Sequence, residues 1–361
     1  MTDLKQLLSP EKFIPFYRDR KNLAPLQLAP VAVELHWTSD CNYDCVHCSY
    51  GSRRQTRGAL SPEIINTVID ELITMKTQAV YLSGGGEPTV VKGWNNHARK
   101  LMDAGIEVAL ISNGVALLAS QAQTLSAMNY VAVSVYSTDR NEYNLITKSR
   151  FFEKQWTCPA LIKSAGGHAV VGARCVINKI NYKNIVAIYL QAIASGYDYI
   201  IFIPAVDYEG RGISLGKQEQ LEIKQLLSEN NSIFDSALTN IASIVNRDIN
   251  HYQPANYTED FYRIEAGCAA LTIRANAFIN YCGGVWLCQP HIGNPLYQIG
   301  NVNDNKFSEL WNAPRHQEVI HLLSQAFSAG QCKNCRSISF NKIADTFEHT
   351  PSDTTINDPF L

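Results

Sequence analysis

Between Val31 and Ile203 the sequence alternates short apolar runs with segments whose apolar residues recur every three or four positions. Such alternation predicts parallel strands joined by right-handed helical crossovers. Ser61 and Pro62 give the first helix a typical start, as N-cap and first helical residue. The predicted strands cover residues 31–38, 79–83, 106–111, 130–136, 169–177 and 199–203. Six such units can form a partial (β/α)6 barrel or a doubly wound open sheet.

Composition narrows the class of protein. The 361 residues carry a net charge of −2 and are 46% hydrophobic, which allows a substantial core and gives no nucleic-acid footprint. Ten cysteines without a signal peptide or a long apolar run predict a reducing cytoplasm and no membrane span. We therefore expect a cytoplasmic protein that acts on a small molecule or a peptide.

Three cysteines follow the first predicted strand: Cys41, Cys45 and Cys48 form a C-x3-C-x2-C loop. A 4Fe–4S cluster normally takes four cysteine thiolates, so three leave one iron open for a substrate or cofactor. Zinc is the alternative, with His47 as the nearest fourth ligand, although structural zinc sites usually present two separated pairs. The loop favours an iron–sulfur site over zinc.

A glycine run after the second predicted strand leads through Gly85 and Gly86 into Glu87. Glycines at a strand-to-helix turn can simply permit tight backbone geometry. They can also let backbone groups approach a ligand closely, while Glu87 can accept hydrogen bonds from an ammonium group. The glycines alone do not distinguish these two interpretations.

Taken together, the cysteine loop and the Gly85–Glu87 segment resemble the radical S-adenosylmethionine (SAM) superfamily. The resemblance implies that Cys41, Cys45 and Cys48 hold a 4Fe–4S cluster whose open iron binds SAM, and that the fold is the partial (β/α)6 barrel. It also implies that His47 lies near the adenine and that the Gly85–Glu87 backbone holds the SAM amino group.

Further SAM contacts are implied on the third, fourth and fifth strands. Ser112 and Asn113 resemble the polar end of the family's third strand, although an ordinary turn would have the same sequence. Ser134 and Arg174 lie where related enzymes contact the ribose and carboxylate of SAM. Strand registers are not fixed by the sequence, so an alternative for Arg174 is a surface ion pair.

Beyond Gln220 the alternation ends, and helices are expected at 220–227 and 236–245. A second cysteine region then combines a predicted hairpin, 270–279 and 285–288, with a helix over 307–327. A zinc-ribbon module is one interpretation. The spacing also resembles the twitch module, the short form of the SPASM extension, which implies one auxiliary 4Fe–4S cluster. Its implied ligands are Cys268, Cys288, Cys332 and Cys335.

The predicted organisation has five parts. They are an N-terminal extension (1–30), the barrel (31–235), a connector (236–261), the twitch/SPASM domain (262–340) and a C-terminal tail (341–361).

The resemblance implies reductive cleavage of SAM to a 5′-deoxyadenosyl radical that abstracts hydrogen from a substrate C–H bond. Electron uptake by the auxiliary cluster would give oxidation or a cross-link, whereas hydrogen return from a cysteine would give epimerisation. Cys175 is the candidate hydrogen donor if it faces the barrel interior, and Arg174 or Tyr136 can assist proton removal. We expect Cys158 to be packed in the core, and Cys282 is an alternative cluster ligand.

The expected substrate is a ribosomally synthesised peptide that is cross-linked, oxidised or epimerised. A small aminosugar or cyclitol alcohol is the alternative. A non-catalytic iron–sulfur protein is a third hypothesis, which the Gly85–Glu87 segment disfavours because an electron carrier needs no SAM pocket. Expected partners are an electron donor such as flavodoxin or ferredoxin and a separate leader-peptide-binding protein, since about 30 residues precede the first strand.

Overall fold

A computed structural model of the chain describes residues 10–23, 29–51, 57–207, 210–241, 267–331 and 341–345. Its strands are β1 (Ala32–His36), β2 (Ala79–Leu82), β3 (Glu107–Ser112), β4 (Tyr130–Val135), β5 (Val170–Ile177), β6 (Tyr199–Pro204), β7 (Asn276–Asn280), β8 (Gly284–Trp286) and β9 (Gln298–Asn301).

The helices in the same part of the chain include α1 (Pro10–Lys21), α2 (Pro62–Thr74), α3 (Trp94–Asp103), α4 (Ala122–Ser126), α5 (Arg140–Thr147), α6 (Lys154–Lys163), α7 (Ile185–Ala194), α8 (Lys217–Glu229), α9 (Ala269–Thr272), α10 (Phe307–Asn312) and α11 (Pro314–Ser328). Short 3-10 helices cover Pro88–Val90, Ala119–Gln121, Tyr182–Asn184, Asn231–Ile233, Gln289–His291 and Pro295–Tyr297.

One sheet runs through the described residues in the order β6-β5-β4-β3-β2-β1-β7-β8-β9. The seven strands from β6 to β7 are parallel, and β8 and β9 continue the sheet antiparallel. The order is open, with β6 and β9 at its ends. The predicted strand–helix alternation is confirmed, and the first helix begins as expected, with the Ser61 hydroxyl accepting a hydrogen bond from the Ile64 amide.

The two faces of the parallel strands have different surroundings because side chains alternate along a strand. In β1, Val33 and Leu35 are buried in the core that packs against the helices. Glu34 lies between them in sequence and lines a cavity on the opposite face, together with Tyr81 of β2. The helix-covered face therefore supplies the core, while the other face supplies the walls of an internal cavity.

The C-terminal hairpin joins the barrel strands directly. β7 pairs in parallel with β1 from Ala32↔Asn276 to His36↔Asn280. The predicted start of this hairpin at Ala270 was wrong, because residues 269–272 form α9 and the strand begins only at Asn276. The run Ala-Ala-Leu in α9 has high helix propensity, which explains the difference.

Two predicted helices also differ from the structure. Residues 236–240 are not helical, since Thr239 forms a parallel bridge with Ile200 and the Asn240 side chain bonds the backbone of Phe202, covering the edge of β6. The predicted helix 307–327 is divided into α10 and α11 at Ala313, which is extended (ψ 153°) because it precedes Pro314.

Candidate functional site

The three cysteines of the C-x3-C-x2-C loop lie at the carboxyl ends of the parallel strands, where each side chain is half-buried. The Cys41 sulfur accepts a hydrogen bond from the Tyr43 amide (3.4 Å) and lies 3.8 Å from Asn113 Nδ2. The Cys45 sulfur lies 3.8 Å from the Tyr136 hydroxyl. Polar groups thus lie within hydrogen-bond reach of the Cys41 and Cys45 sulfurs, where they can tune a thiolate-bound cluster.

The cysteine loop is anchored to the end of α5. The Asp44 amide donates to the Thr147 carbonyl (3.1 Å), and the Val46 amide donates to the Ile146 carbonyl (2.9 Å). Beneath the loop, Tyr43 packs with aromatic residues that follow β4 and lie in α5. The loop is therefore held on a rigid apolar base.

The Gly84–Glu87 segment packs against the start of the cysteine loop. The Gly86 amide donates to the Thr38 carbonyl (2.8 Å), and the Glu87 amide donates to the Asp40 carbonyl (2.7 Å). A Cβ atom on Gly86 would lie 2.0 Å from the Asp40 carbonyl oxygen. Gly86 must be glycine because two backbone segments meet there without room for a side chain.

The Glu87 carboxylate is buried and joins the ends of β2 and β3. It accepts hydrogen bonds from the Ser112 hydroxyl (2.8 Å), the Asn113 amide (2.7 Å), and the amide and hydroxyl of Thr89 (3.1 and 2.5 Å). Burial raises the pKa of Glu87, and these hydrogen bonds oppose that shift. The structure thus brings Glu87, Ser112 and Asn113 together, with the carboxylate engaged by protein donors rather than aimed at an open space.

Asn113 extends this network to the cysteine loop. Its side-chain amide nitrogen lies 2.5 Å from the Asn42 side-chain oxygen, in addition to its approach to Cys41. Its own side-chain oxygen accepts a hydrogen bond from the Val115 amide. A chain of contacts therefore runs from Glu87 through Asn113 to the loop.

His47 lies between two of the loop cysteines. Its ring centroid is 5.5 Å from that of Tyr136, and its Nδ1 is enclosed without a hydrogen-bond partner among the described residues. Burial lowers the pKa of His47 to about 4, which keeps the imidazole neutral near pH 7. The neutral ring lies beside the loop cysteines, and its predicted contact with the adenine stays a prediction.

Ser134 and Arg174 are register partners on neighbouring strands β4 and β5. The Ser134 side chain hydrogen-bonds the Tyr136 hydroxyl. Arg174 lines the internal cavity with Tyr81 and Tyr130, so the alternative of a surface ion pair for this arginine was wrong. The two residues share one region of the inner face, and their contacts with SAM stay a prediction.

Cys175 is placed on the other face of β5. It is fully buried in the core against the helices, and its sulfur lies 3.9 Å from the Asn181 side-chain nitrogen. Burial raises the pKa of its thiol. The expectation that Cys175 faces the barrel interior is not met, because Arg174 occupies that face. Cys158 is buried as expected, with its sulfur 3.6 Å from the Gly114 carbonyl.

Two cavities adjoin the site. The first, which we call the lumen cavity, has a volume of about 260 Å³ and is lined in part by Glu34, Tyr81, Arg174, Cys268 and Cys288. The second, the mouth cavity, has a volume of about 530 Å³ and is lined in part by His36, Tyr50, Gly85, Asn280 and Tyr281. Pro290 and His291 line both cavities.

The two described cysteines of the predicted auxiliary set, Cys268 and Cys288, both line the lumen cavity. Burial raises the pKa of the Cys268 thiol. Cys332 and Cys335 lie outside the described residues. Cys282 is exposed near the hairpin turn, where its carbonyl accepts hydrogen bonds from the Asn301 and Asn303 side chains, and it lines neither cavity.

Sequence reasoning missed a polar group on β1. The His36 Nε2 lies 2.9 Å from a Glu34 carboxylate oxygen, which can only accept, so Nε2 carries the hydrogen. The Tyr50 hydroxyl lies 3.2 Å from His36 Nδ1. A Cβ on Gly84 would lie 2.2 Å from the His36 ring, so the glycine run leaves room for it. Alternation along β1 was the signal that places both Glu34 and His36 on the inner face.

In the described part of the chain, no set of three or more His, Cys, Asp or Glu side chains converges on one metal-ion position. The thiolates of a cubane each bind a different iron and need not converge in that way. The described helices include none with the length and apolarity to cross a membrane.

Comparison with known proteins gives two family matches. Residues 35–192 match the Radical SAM superfamily, and residues 268–336 match SPASM, an iron–sulfur cluster-binding domain. Mycofactocin maturase MftC of Mycobacterium tuberculosis is 25% identical over 311 residues, covering 85% of this chain and 76% of that protein. A probable GTP 3′,8-cyclase of Sulfurisphaera tokodaii is 28% identical over 267 residues, covering 68% of this chain and 78% of that protein.

Solved structures share the fold. Streptococcus suis SuiB bound to SAM superposes with a TM-score of 0.61 at 15% identity, covering 92% of this chain and 80% of that one. The enzyme anSMEcpe with bound SAM superposes with a TM-score of 0.59 at 17% identity, covering 89% of this chain and 96% of that one. The predicted partial barrel is thereby confirmed, and SAM and 4Fe–4S clusters are the cofactors that these domains bind. The chain belongs to the radical SAM superfamily and carries a C-terminal SPASM iron–sulfur domain.

Proposed function

We propose that this radical SAM enzyme modifies a C–H bond of a ribosomally synthesised peptide by oxidation, cross-linking or epimerisation. In this proposal the barrel comprises residues 31–235 and the auxiliary domain residues 262–340. Cys41, Cys45 and Cys48 hold the SAM-binding cluster. The auxiliary cluster is held by Cys268, Cys288, Cys332 and Cys335.

The main support for this proposal is that the mouth cavity and the lumen cavity lie side by side and share lining residues. The mouth cavity is bounded by Gly85 and Tyr50 on the side of the cysteine loop and by Asn280 on the side of the C-terminal hairpin. It shares His291 with the lumen cavity, which Cys268 and Cys288 line. A substrate group in the mouth cavity would therefore have the SAM site on one side and the auxiliary cysteines on the other.

SAM and its cluster, when bound, supply the radical that abstracts hydrogen from an unactivated C–H bond. The residues of this chain position that chemistry. The Tyr43 amide and Asn113 orient the Cys41 sulfur, and the neutral His47 ring offers a face to the adenine. Glu87 fixes the ends of β2 and β3, so that the carbonyl groups of the Gly85–Glu87 segment are held beside the loop.

A peptide substrate is supported by the relatives. One of them is named a mycofactocin maturase, and Streptococcus suis SuiB has been solved with its precursor peptide SuiA bound (TM-score 0.60, 14% identity). A flavodoxin or ferredoxin as reductant and a separate leader-peptide-binding protein complete the proposal. The oxidation of a small aminosugar or cyclitol alcohol is the competing function.

The test uses anaerobically reconstituted full-length enzyme with SAM and dithionite. Synthetic peptides encoded beside the gene are incubated with it in H2O and in D2O and analysed by mass spectrometry. A loss of two hydrogens indicates oxidation or a cross-link, and deuterium uptake without other change indicates epimerisation. Unmodified peptides together with conversion of cyclitol or aminosugar alcohols to ketones would overturn the peptide proposal in favour of the small-molecule one.

A further inference from the structure

Tyr136 follows β4 directly and lies between the barrel and the cysteine loop. Its side chain is 5% exposed, and its hydroxyl oxygen lies 3.8 Å from the Cys45 sulfur. Its backbone is fixed on both sides, since its amide donates to the Gln155 side-chain oxygen (2.9 Å) and its carbonyl accepts from the Asn181 side chain (2.8 Å). The hydroxyl is thus held against the sulfur by a rigid frame.

The direction of the hydrogen bond at this position follows from the chemistry of its partners. A cysteine bound to iron is a thiolate, which can accept a hydrogen bond and cannot donate one. The phenol hydroxyl has one hydrogen to give, and its oxygen can accept from the Ser134 side chain, which hydrogen-bonds it. The sequence of donors therefore runs from Ser134 to Tyr136 to Cys45.

We infer that the Tyr136 hydroxyl donates a hydrogen bond to the Cys45 sulfur and thereby raises the reduction potential of the SAM-binding cluster. The inference rests on the proposed role of Cys45 as a cluster ligand. Reduction adds one negative charge to the cluster, and hydrogen bonds to its sulfurs favour the more negative state. Burial strengthens this effect, because little solvent screens the hydroxyl dipole.

Tyr143 packs in the same buried cluster as Tyr43 and Tyr136 and provides a matched control. The hydroxyls of Tyr43 and Tyr143 hydrogen-bond each other, and the Tyr143 hydroxyl also lies 3.4 Å from the Ser149 hydroxyl. The Tyr143 ring centroid is 6.0 Å from that of Tyr136, so its removal perturbs the same packing. Tyr143→Phe therefore removes a hydroxyl of the cluster and leaves the Tyr136–Cys45 pair in place.

The experiment is an EPR-monitored redox titration of the anaerobically reconstituted full chain. The signal of the SAM-binding cluster is identified by its change when SAM is added. For Tyr136→Phe we expect the equilibrium constant for reduction of this cluster to fall about tenfold, which corresponds to about 59 mV for a one-electron couple. Tyr143→Phe should titrate like the wild type.

A second variant covers the case in which Tyr136→Phe fails to assemble its cluster. Tyr136→3-fluorotyrosine keeps the shape and strengthens the donor, so the midpoint should move in the opposite direction, to a less negative potential. Unchanged midpoints in both Tyr136 variants, or equal shifts in Tyr136→Phe and Tyr143→Phe, would overturn the inference. A wild-type protein without any SAM-responsive signal would instead overturn the proposed function, and the inference with it.

Discussion

At the scale of single residues, Gly86 shows most directly why this sequence needs the motif it has. Its amide bonds the Thr38 carbonyl, and the position of its missing Cβ is 2.0 Å from the Asp40 carbonyl oxygen. Both neighbours are backbone groups at the entrance to the cysteine loop. The glycine is therefore a packing requirement of the loop.

We expect Gly86→Ala to lower the free energy of unfolding by on the order of 3 kcal/mol, since backbone atoms must move to admit the methyl group. The displaced loop should also lose iron during reconstitution. Chemical denaturation and iron analysis measure the two effects. Gly58→Ala is the control, because the nearest atom to its Cβ is Tyr281 Cδ2 at 3.8 Å. Equal stability of the two variants would contradict this explanation.

The sequence predicted which two segments meet at the site, and its failure at Cys175 has a simple cause. The spacing of the cysteine loop and the glycine run predicted that these segments meet at the carboxyl ends of the strands, which the structure confirms. Arg174 and Cys175 were both expected to act inside the barrel. Adjacent residues of a strand face opposite sides, so the two expectations were incompatible.

At the scale of elements, local sequence predicted the barrel strands well and the C-terminal region less well. The barrel units repeat a regular pattern in which each strand is followed by an amphipathic helix. The pairing of β7 with β1 joins residues more than 240 positions apart, and no local pattern specifies it. The division of α10 from α11 was readable from Pro314, whose effect on Ala313 is local.

The junction of α10 and α11 also contains a buried histidine. His316 Nδ1 lies 2.5 Å from the Trp311 carbonyl and therefore carries the hydrogen, while Nε2 is enclosed without a partner among the described residues. Burial, together with the charge of Arg274, lowers the pKa of His316 to about 4. The folded state thus resists protonation of this ring.

This histidine predicts a pH dependence of stability. An unfolded histidine has a pKa near 6.5, so its stabilising contribution is complete above pH ~6.5 and is lost as the pH falls toward 4. The loss can reach about 3 kcal/mol. Denaturant titrations should show that this decline is smaller in His316→Gln and unchanged in His321→Gln, whose exposed side chain lies on the same helix. If the free energy of unfolding of His316→Gln falls with pH as steeply as that of the wild type, groups other than His316 cause the decline.

At the scale of the whole molecule, the barrel strands and the C-terminal hairpin form one continuous sheet in the described residues. β1 is paired on one side with β2 and on the other with β7. β1 leads into the cysteine loop, and β7 leads through the hairpin to Cys288. The relative position of the two cysteine regions is thereby set by a strand pairing rather than by a flexible link.

Native-state hydrogen exchange should reveal this continuity. We expect the protected amides of β1 and β7 to open with free energies that agree within about 1 kcal/mol, because separating either strand disrupts their shared ladder. Strands that open independently would differ by more. Fast exchange throughout Asn276–Asn280 with full protection of Ala32–His36 would contradict the account of a single sheet.

The central claim is that three cysteines hold a SAM-binding cluster and a second set holds an auxiliary cluster. Its most direct test is the measurement of iron and of 5′-deoxyadenosine after anaerobic reconstitution and reduction with dithionite in the presence of SAM. The wild type should bind about eight irons per chain and form 5′-deoxyadenosine. The triple variant Cys41→Ala, Cys45→Ala, Cys48→Ala should keep about four irons and form none. Continued formation of 5′-deoxyadenosine by the triple variant would contradict the account.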